Sequence, residues 1–352
     1  MADADTTPSG SPSEGLGAIV EKPRAEAAIG SLRSEGVYDD ARRVEPYDEA
    51  HVAIPVVAPP TATAVSDVRT VKLPRRVDDL GSVLERRGAN PETIAAAPSS
   101  WAVVGDVVLV DFGDVSVPGT LGPSARETVA EALLELHGNA ATVLARGGID
   151  GPRRDPSVTV VAGADRTETV HVEHGTTYAI DFSSVMFSPG NKAERARMGR
   201  AVDDGERVFD MFAGIGYFAL PMARAGASVI AAEIDPDAHR LLVENARRNG
   251  VADRVRAERA DCRTVGADAT ADRVVAGYYD AFEYLDTALD ALAPGGVVHL
   301  HEATPEPLFP SRPIERLRAA AADGRSIETL EPRVVKSHSA GVVHGVVDAR
   351  VR

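Results

Sequence analysis

Asp210-Met-Phe-Ala-Gly-Ile-Gly-Tyr-Phe218 is the stretch that decides how this chain folds. It follows the β-branched run Arg207-Val-Phe-Asp210 and opens a helical pattern over Tyr217–Arg224. Glycine at 214 and 216 lets the backbone turn tightly and come close to a ligand where a Cβ would intrude. The third spaced glycine of a dinucleotide fingerprint is missing, and no Lys-Ser/Thr pair is present to serve a triphosphate. An acid, Asp210, beside the turn suits a zwitterionic ligand with an ammonium group better than a pyrophosphate. The plain alternative is a strand–turn–helix corner with no ligand.

Outward from this turn, strands and helices alternate. Ser228–Ala232 reads as the next strand, Pro236–Arg248 as a helix, and Val255–Ala257 as a strand. Asp272–Ala276, a helix over Ala281–Leu292 and Gly296–Leu300 continue the series. This is an α/β signature, a doubly wound parallel sheet that binds ligands at the carboxyl ends of its strands. Val334–Lys336 and Val342–Val351 close it as a pair of strands. Glu233 ends the second strand about 20 residues after the turn, where nucleotide folds place a carboxylate on the ribose hydroxyls. Asp261, after the third strand, can accept the adenine amino group, and the backbone amide of Cys262 can meet the ring. Taken singly, Glu233 is equally a helix cap; the plain alternative for Asp261 with Cys262 is a loop acid beside a buried thiol. Acids at the ends of three successive strands form the pattern of class I S-adenosylmethionine enzymes.

Upstream the texture changes. Residues 1–16 are nearly devoid of apolar side chains and read as a disordered tail. Ala18–Val20, a helix over Arg24–Glu35 and His51–Val57 make a small α/β module at 17–60. Residues 61–100, entered through Ala58-Pro-Pro-Thr-Ala-Thr-Ala64, read as a linker and helical segment. Strands at Val107–Val110, Ala141–Ala145, Ser157–Ala162 and Thr167–Glu173 surround one clear helix, Ala125–His137, in an α+β domain of RNA-binding type at 101–180. The transferase-like portion covers 181–352.

Composition narrows the setting. Acidic residues outnumber basic ones by 53 to 38, and only 4 of the latter are lysine. That balance resembles a protein from a salt-loaded cytoplasm, and it leaves room for a local nucleic-acid patch. One cysteine excludes an intramolecular disulfide and a cysteine-cluster metal site. No apolar run approaches the roughly 20 residues that span a bilayer, and the acidic N-terminus is unlike a signal peptide. A cytoplasmic protein without membrane or metal partner is expected.

Beyond the generic motifs, Val185-Met-Phe-Ser-Pro-Gly-Asn-Lys-Ala-Glu-Arg-Ala-Arg-Met198 and the glycine turn resemble the archaeal branch of wybutosine-synthesising tRNA enzymes. Asp272-Arg-Val-Val-Ala-Gly-Tyr278, Gly296-Val-Val-His-Leu-His-Glu302, Pro313-Ile-Glu-Arg-Leu317 and Gly341-Val-Val-His-Gly-Val-Val-Asp-Ala349 extend the likeness over about residues 100–352. The resemblance implies transfer of the 3-amino-3-carboxypropyl group of S-adenosylmethionine to 4-demethylwyosine at position 37 of tRNA-Phe. The related tRNA guanosine-37 N1-methyltransferases share most motifs. They carry Asn-Leu-Pro or similar where this chain has Gly277-Tyr278-Tyr279, and typically Arg after Ser-Pro where it has Gly190-Asn191. A non-catalytic tRNA-binding protein is a further alternative, opposed by the intact Asp210, Gly214, Gly216, Glu233 and Asp261.

Carried over by position, the family's cofactor contacts fall on Ser188, Arg195, Glu233, Asp261 and Cys262. Arg195 would pair with the methionine carboxylate; its bland alternative is a helix-surface arginine bridging Glu194 or Asp210. No general base stands out, with Tyr278, His299, His301 and Glu302 as candidates near the sheet's carboxyl edge. Arg86-Arg87 and Arg153-Arg154 are the places where an anticodon arm would meet phosphate contacts.

Overall fold

The computed structural model describes residues 13–74, 79–113, 119–150, 155–321 and 324–352. The chain divides into two compact units, residues 1–83 and 84–352. In the first, β1 (Ser13–Glu21), α1 (Ala25–Glu35), β2 (Glu45–Pro46), β3 (His51–Val56) and β4 (Asp67–Leu73) build an antiparallel sheet in the order β2-β3-β1-β4. Ala28 and Leu32 of α1 pack on Ala18, Val20, Ile54 and Val56. β1 starts inside the segment read as a tail, of which residues 1–12 lie outside the described residues. The linker-like stretch is anchored: the N–H groups of Ala62 and Thr63 each donate to the Glu35 carboxylate at 2.9 Å. Just beyond it, β4 pairs with β1, a strand where only linker and helix were expected.

α2 (Leu80–Arg86) leads to α3 (Pro91–Ala95), whose first turn is capped by Asn90. Next come β5 (Trp101–Val104), β6 (Val107–Val110), α4 (Pro123–Leu136), β7 (Thr142–Asp150) and β8 (Asp155–Gly163). They form a four-stranded sheet in sequence order, with β6 and β7 parallel across the α4 crossover. A hairpin of β9 (Glu168–Glu173) and β10 (Thr176–Asp181) follows.

The large sheet contains β11 (Arg207–Asp210), β12 (Ser228–Ala232), β13 (Val255–Glu258), β14 (Ala271–Ala276), β15 (Leu292–Pro305), β16 (Ile327–Ser339) and β17 (Val342–Val351). Its order is β13-β12-β11-β14-β15-β17-β16, with β17 antiparallel to both neighbours. Helices α5 (Lys192–Ala201), α6 (Ala219–Arg224), α7 (Pro236–Arg248), α8 (Cys262–Gly266), α9 (Leu285–Asp290) and α10 (Ser311–Ala320) complete the fold. Alternation along β11 sends Val208 into one core, with Met198, Ile215 and Leu242, and Phe209 into the other, with Leu285, Leu289 and Leu317. The helix expected over Ala281–Leu292 is a 3-10 turn, Ala281–Tyr284, followed by α9. Leu292 belongs to β15, because the Ala291 carbonyl accepts from Ala271 at 2.8 Å and hands the chain back to the sheet. Strand order reverses between β11 and β14, and that switch point is where open α/β sheets bind ligands. No helix among the described residues is long and apolar enough to cross a membrane.

Candidate functional site

A cavity of about 950 Å³ opens at the carboxyl ends of the parallel strands. Gly214, at φ 55°, forms part of its wall, and a Cβ there would run into the Tyr217 ring. Gly216, at φ 102°, is needed for packing instead: its Cβ would strike Leu220 and Leu242, and it lies outside the cavity wall. Asp210 departs from expectation in the same way. It is fully buried below the turn and lies outside the cavity wall. Its Oδ1 receives a long bond from the Phe212 N–H, 3.4 Å. Burial pushes this carboxyl up to about 7.

Glu233 and Asp261 do line the cavity. Glu233 Oε2 accepts the Gly214 N–H at 2.7 Å and Oε1 the Asp235 N–H at 2.8 Å, so the acid is fastened to the glycine turn. Burial raises its pKa. Asp261 caps α8 through the Arg263 N–H at 2.8 Å and pairs with that guanidinium at 2.6 Å, which holds its carboxyl low. Cys262 is buried beside it, and burial pushes the thiol up to about 12, so it is not a nucleophile near neutral pH. Tyr278 lines the same space with Phe212 and Tyr284. The Phe212 ring stands 5.3 Å from Tyr278 and 5.2 Å from Tyr284, an aromatic bed for a flat heterocycle.

The opposite wall is basic. Arg195 is only 2% exposed, and its fork is filled by Glu173 of β9, at 2.7 Å to both carboxylate oxygens. Its remaining nitrogen donates to the Ser188 carbonyl at 2.9 Å. Neither Glu194 nor Asp210 is its partner; Arg195 is a buried brace for the Ser188 loop. Burial is the largest influence on Glu173 and acts upward, yet bonds from His171 and Arg195 outweigh it and bring the carboxyl to about 2. Ser188 Oγ accepts from Lys336 Nζ at 2.7 Å, and Lys336 and Asn191 both line the cavity. Sequence reading passed over Glu173, Asn191 and Lys336 as functional groups. It also passed over Arg146 of β7, which reaches the same cavity wall.

His299 and His301 are buried away from the cavity. His299 Nε2 lies 2.9 Å from Glu194, its Nδ1 contacts Asp348, and Arg333 bridges both acids. Glu194, His299 and His301 bring ligand atoms within 4.8 Å of one another. The Arg333 guanidinium already sits on Glu194, however, so the acid is neutralised without an ion. His301 Nδ1 is 2.8 Å from His344 Nε2, and His344 does reach the cavity. Burial keeps both imidazoles neutral, His344 lowered to about 3. Glu302 is buried between Arg312, 3.2 Å away, and Arg316, 2.8 Å away. Of the basic pairs, Arg86 bonds Glu135 at 2.9 Å and Arg87 bonds Glu131 and Glu135 of α4. Arg153 and Arg154 lie outside the described residues.

The sequence profile of the TRM5/TYW2 methyltransferase domain matches residues 169–330, and that of the TYW2 N-terminal domain matches 82–167. A tRNA(Phe) (4-demethylwyosine(37)-C(7)) aminocarboxypropyltransferase of Pyrococcus horikoshii is 38% identical over 74% of this chain and 92% of its own length. The chain belongs to the TRM5/TYW2 family. Two solved members bracket it. P. horikoshii TYW2 in complex with MeSAdo has 34% identity and a TM-score of 0.64 over 78% of this chain and 99% of its own. Trm5b of Pyrococcus abyssi has 28% identity and a TM-score of 0.71 over 96% of this chain and 99% of its own.

Proposed function

We propose that this TRM5/TYW2 family member transfers the 3-amino-3-carboxypropyl group of S-adenosylmethionine to C7 of 4-demethylwyosine at position 37 of tRNA-Phe. The observation that carries this reading is Gly277-Tyr278-Tyr279 after β14. Gly277 backs onto Phe218, where a Cβ would come within 2.9 Å of the ring, and Tyr278 and Tyr279 fill the wall. The Asn-Leu-Pro type of loop, which holds a guanine edge for attack through its own ring nitrogen, is replaced by aromatic surface.

In this reading Glu233 holds the ribose hydroxyls, Asp261 and the Cys262 amide hold the adenine, and Gly214 lets the backbone close on the nucleoside. Asp210 and Gly216 shape the turn from below, and Arg195 fixes the Ser188 loop. The sulfonium supplies an activated carbon. The C7–carbon bond forms as the carbon–sulfur bond breaks, its electron pair returns to sulfur, methylthioadenosine leaves and C7 loses its proton. The residues of the site supply alignment and exclusion of water, which account for most of the acceleration in a reaction of two preassembled groups. Phosphate contacts from Arg146 and from Arg86 and Arg87 would seat the anticodon arm. A tRNA substrate agrees with the cytoplasmic setting read from composition.

The likeness to Trm5b over nearly the whole chain favours one second reading, N1-methylation of guanosine 37. Incubation with tRNA and cofactor labelled separately in the carboxyl carbon and in the methyl decides between them. Carboxyl label in tRNA supports the proposal; methyl label alone refutes it.

A further inference from the structure

A second, smaller pocket, of about 220 Å³, shares Arg195 with the larger cavity. Its volume falls short of the roughly 300 Å³ that encloses a drug-sized molecule, so it suits a small group. The lining holds three arginines, one histidine and a single acid, Glu173. The chain as a whole carries a net charge of −15, so this basic pocket runs against its average composition. Glu173 is taken up by Arg195 and His171. Arg200 has neither a hydrogen bond nor an ion pair among the described residues. Arg224 donates to neutral oxygens, the Gly175 carbonyl and Asn249 Oδ1. Two guanidinium charges in one pocket thus lack a carboxylate partner among the described residues. We propose that Arg200, Arg224 and His174 form a site for one phosphate group, from an RNA backbone or from free phosphate.

The three groups come from three elements that the fold brings together. β9 and β10 are joined by a two-residue turn, His174-Gly175, with Glu173 paired to Thr176 across it. Both turn residues have positive φ, 47° and 75°, and His174 is the one non-glycine residue so placed among the described residues. A turn of this kind favours asparagine or aspartate in the first place. Histidine there brings a ring nitrogen to the pocket, where aspartate would bring a negative charge. Gly199 lets α5 close on α6, since a Cβ would stand 3.1 Å from the Pro221 carbonyl oxygen. That approach puts Arg200, the next residue, in one pocket with Arg224, the last residue of α6. The bonds of Arg224 to Gly175 and Asn249 both use Nη1, so its fork is steadied while other N–H groups remain for a ligand oxygen. Paired guanidinium forks match the oxygens of phosphate in geometry as well as charge. Both readings of the reaction act on tRNA, and the inference rests on that RNA substrate, not on which group is transferred. Arg195, in both linings, puts the pocket beside the cavity that would receive the nucleotide.

Two titrations, each on the wild-type protein, Arg200→Ala and His174→Asn, test the site: tRNA across a range of salt, and inorganic phosphate by calorimetry. Asparagine suits the turn, so His174→Asn keeps the hairpin. Methylthioadenosine should bind all three proteins alike, which reports an intact cofactor cavity. If the phosphate belongs to RNA, the slope of log tRNA affinity against log salt falls by about one contact in Arg200→Ala. His174→Asn then weakens tRNA about 5-fold, the strength of one hydrogen bond, and inorganic phosphate gives no saturable heat. If free phosphate is the ligand, calorimetry shows one site, weakened about 10-fold or more in Arg200→Ala, and the tRNA slope stays as in the wild type. An unchanged slope together with no phosphate binding would overturn the proposal. Weaker tRNA binding seen only with lost methylthioadenosine binding would make Arg200 a structural residue and overturn it too. Absence of any tRNA binding by the wild-type protein would count against the RNA substrate instead, and the phosphate titration would still decide the pocket.

Discussion

The two walls of the cavity are built on opposite plans. On the glycine-turn side, the acids are held by near neighbours: Glu233 by the N–H groups of Gly214 and Asp235, Asp261 by Arg263. On the loop side, side chains meet from distant parts of the chain: Arg195 with Glu173, and Lys336 with Ser188. The first wall is a property of each strand end and forms wherever the strand–turn–helix unit forms. The second exists only once β9, α5 and β16 have docked. A nucleoside pocket can therefore be inherited whole, while the wall facing the transferred group is set by tertiary contacts and is free to diverge.

The largest effect should come from breaking the long-range wall at its most buried point. Arg195→Met leaves Glu173 buried with only His171 beside it and should cost about 3–5 kcal/mol in denaturant unfolding. At low pH the intact pair fails for the same reason. The Glu173 carboxyl lies below its ordinary 4.5, at about 2, so its contribution is present above pH 4.5 and is lost as pH falls towards 2.

Asp210 sharpens the contrast with the opposite sign. Its carboxyl is raised from 3.8 to about 7, so stability is fully present below pH 4 and declines as pH rises to 7. Asp210→Asn should remove up to about 4 kcal/mol of that slope, read from unfolding curves at pH 4 and pH 8. On the short-range wall, Glu233→Ala should weaken methylthioadenosine about 10- to 100-fold with little loss of fold. The smallest effect belongs to the surface. Arg86→Ala should lower the slope of log tRNA affinity against log salt by about one phosphate contact, and an unchanged slope would return Arg86 to its pairing with Glu135.

The same contrast explains what could be read in advance. The glycine turn, the strand ends bearing Glu233 and Asp261, and the closing pair β16–β17 follow from period and turn chemistry, and the structure has them. Asp210 and Gly216 were read as cofactor residues at the turn; the structure buries both outside the cavity wall, and burial is a property of the assembled core. β4 was missed because Asp67-Val-Arg-Thr-Val-Lys-Leu73 is mostly exposed, without the apolar density of β1 and β3. Glu173 was one acid among many, and only the fold selects it as the partner of Arg195. Lys336 closed a strand in the sequence pattern, with nothing local to mark it as facing Ser188.

The most direct test is mass spectrometry of nucleosides from tRNA-Phe bearing 4-demethylwyosine, after incubation with the protein and S-adenosylmethionine. The account predicts the base enlarged by an aminocarboxypropyl group, with methylthioadenosine in the supernatant. Methylated guanosine from unmodified tRNA, with S-adenosylhomocysteine as by-product and no enlarged base, would contradict it.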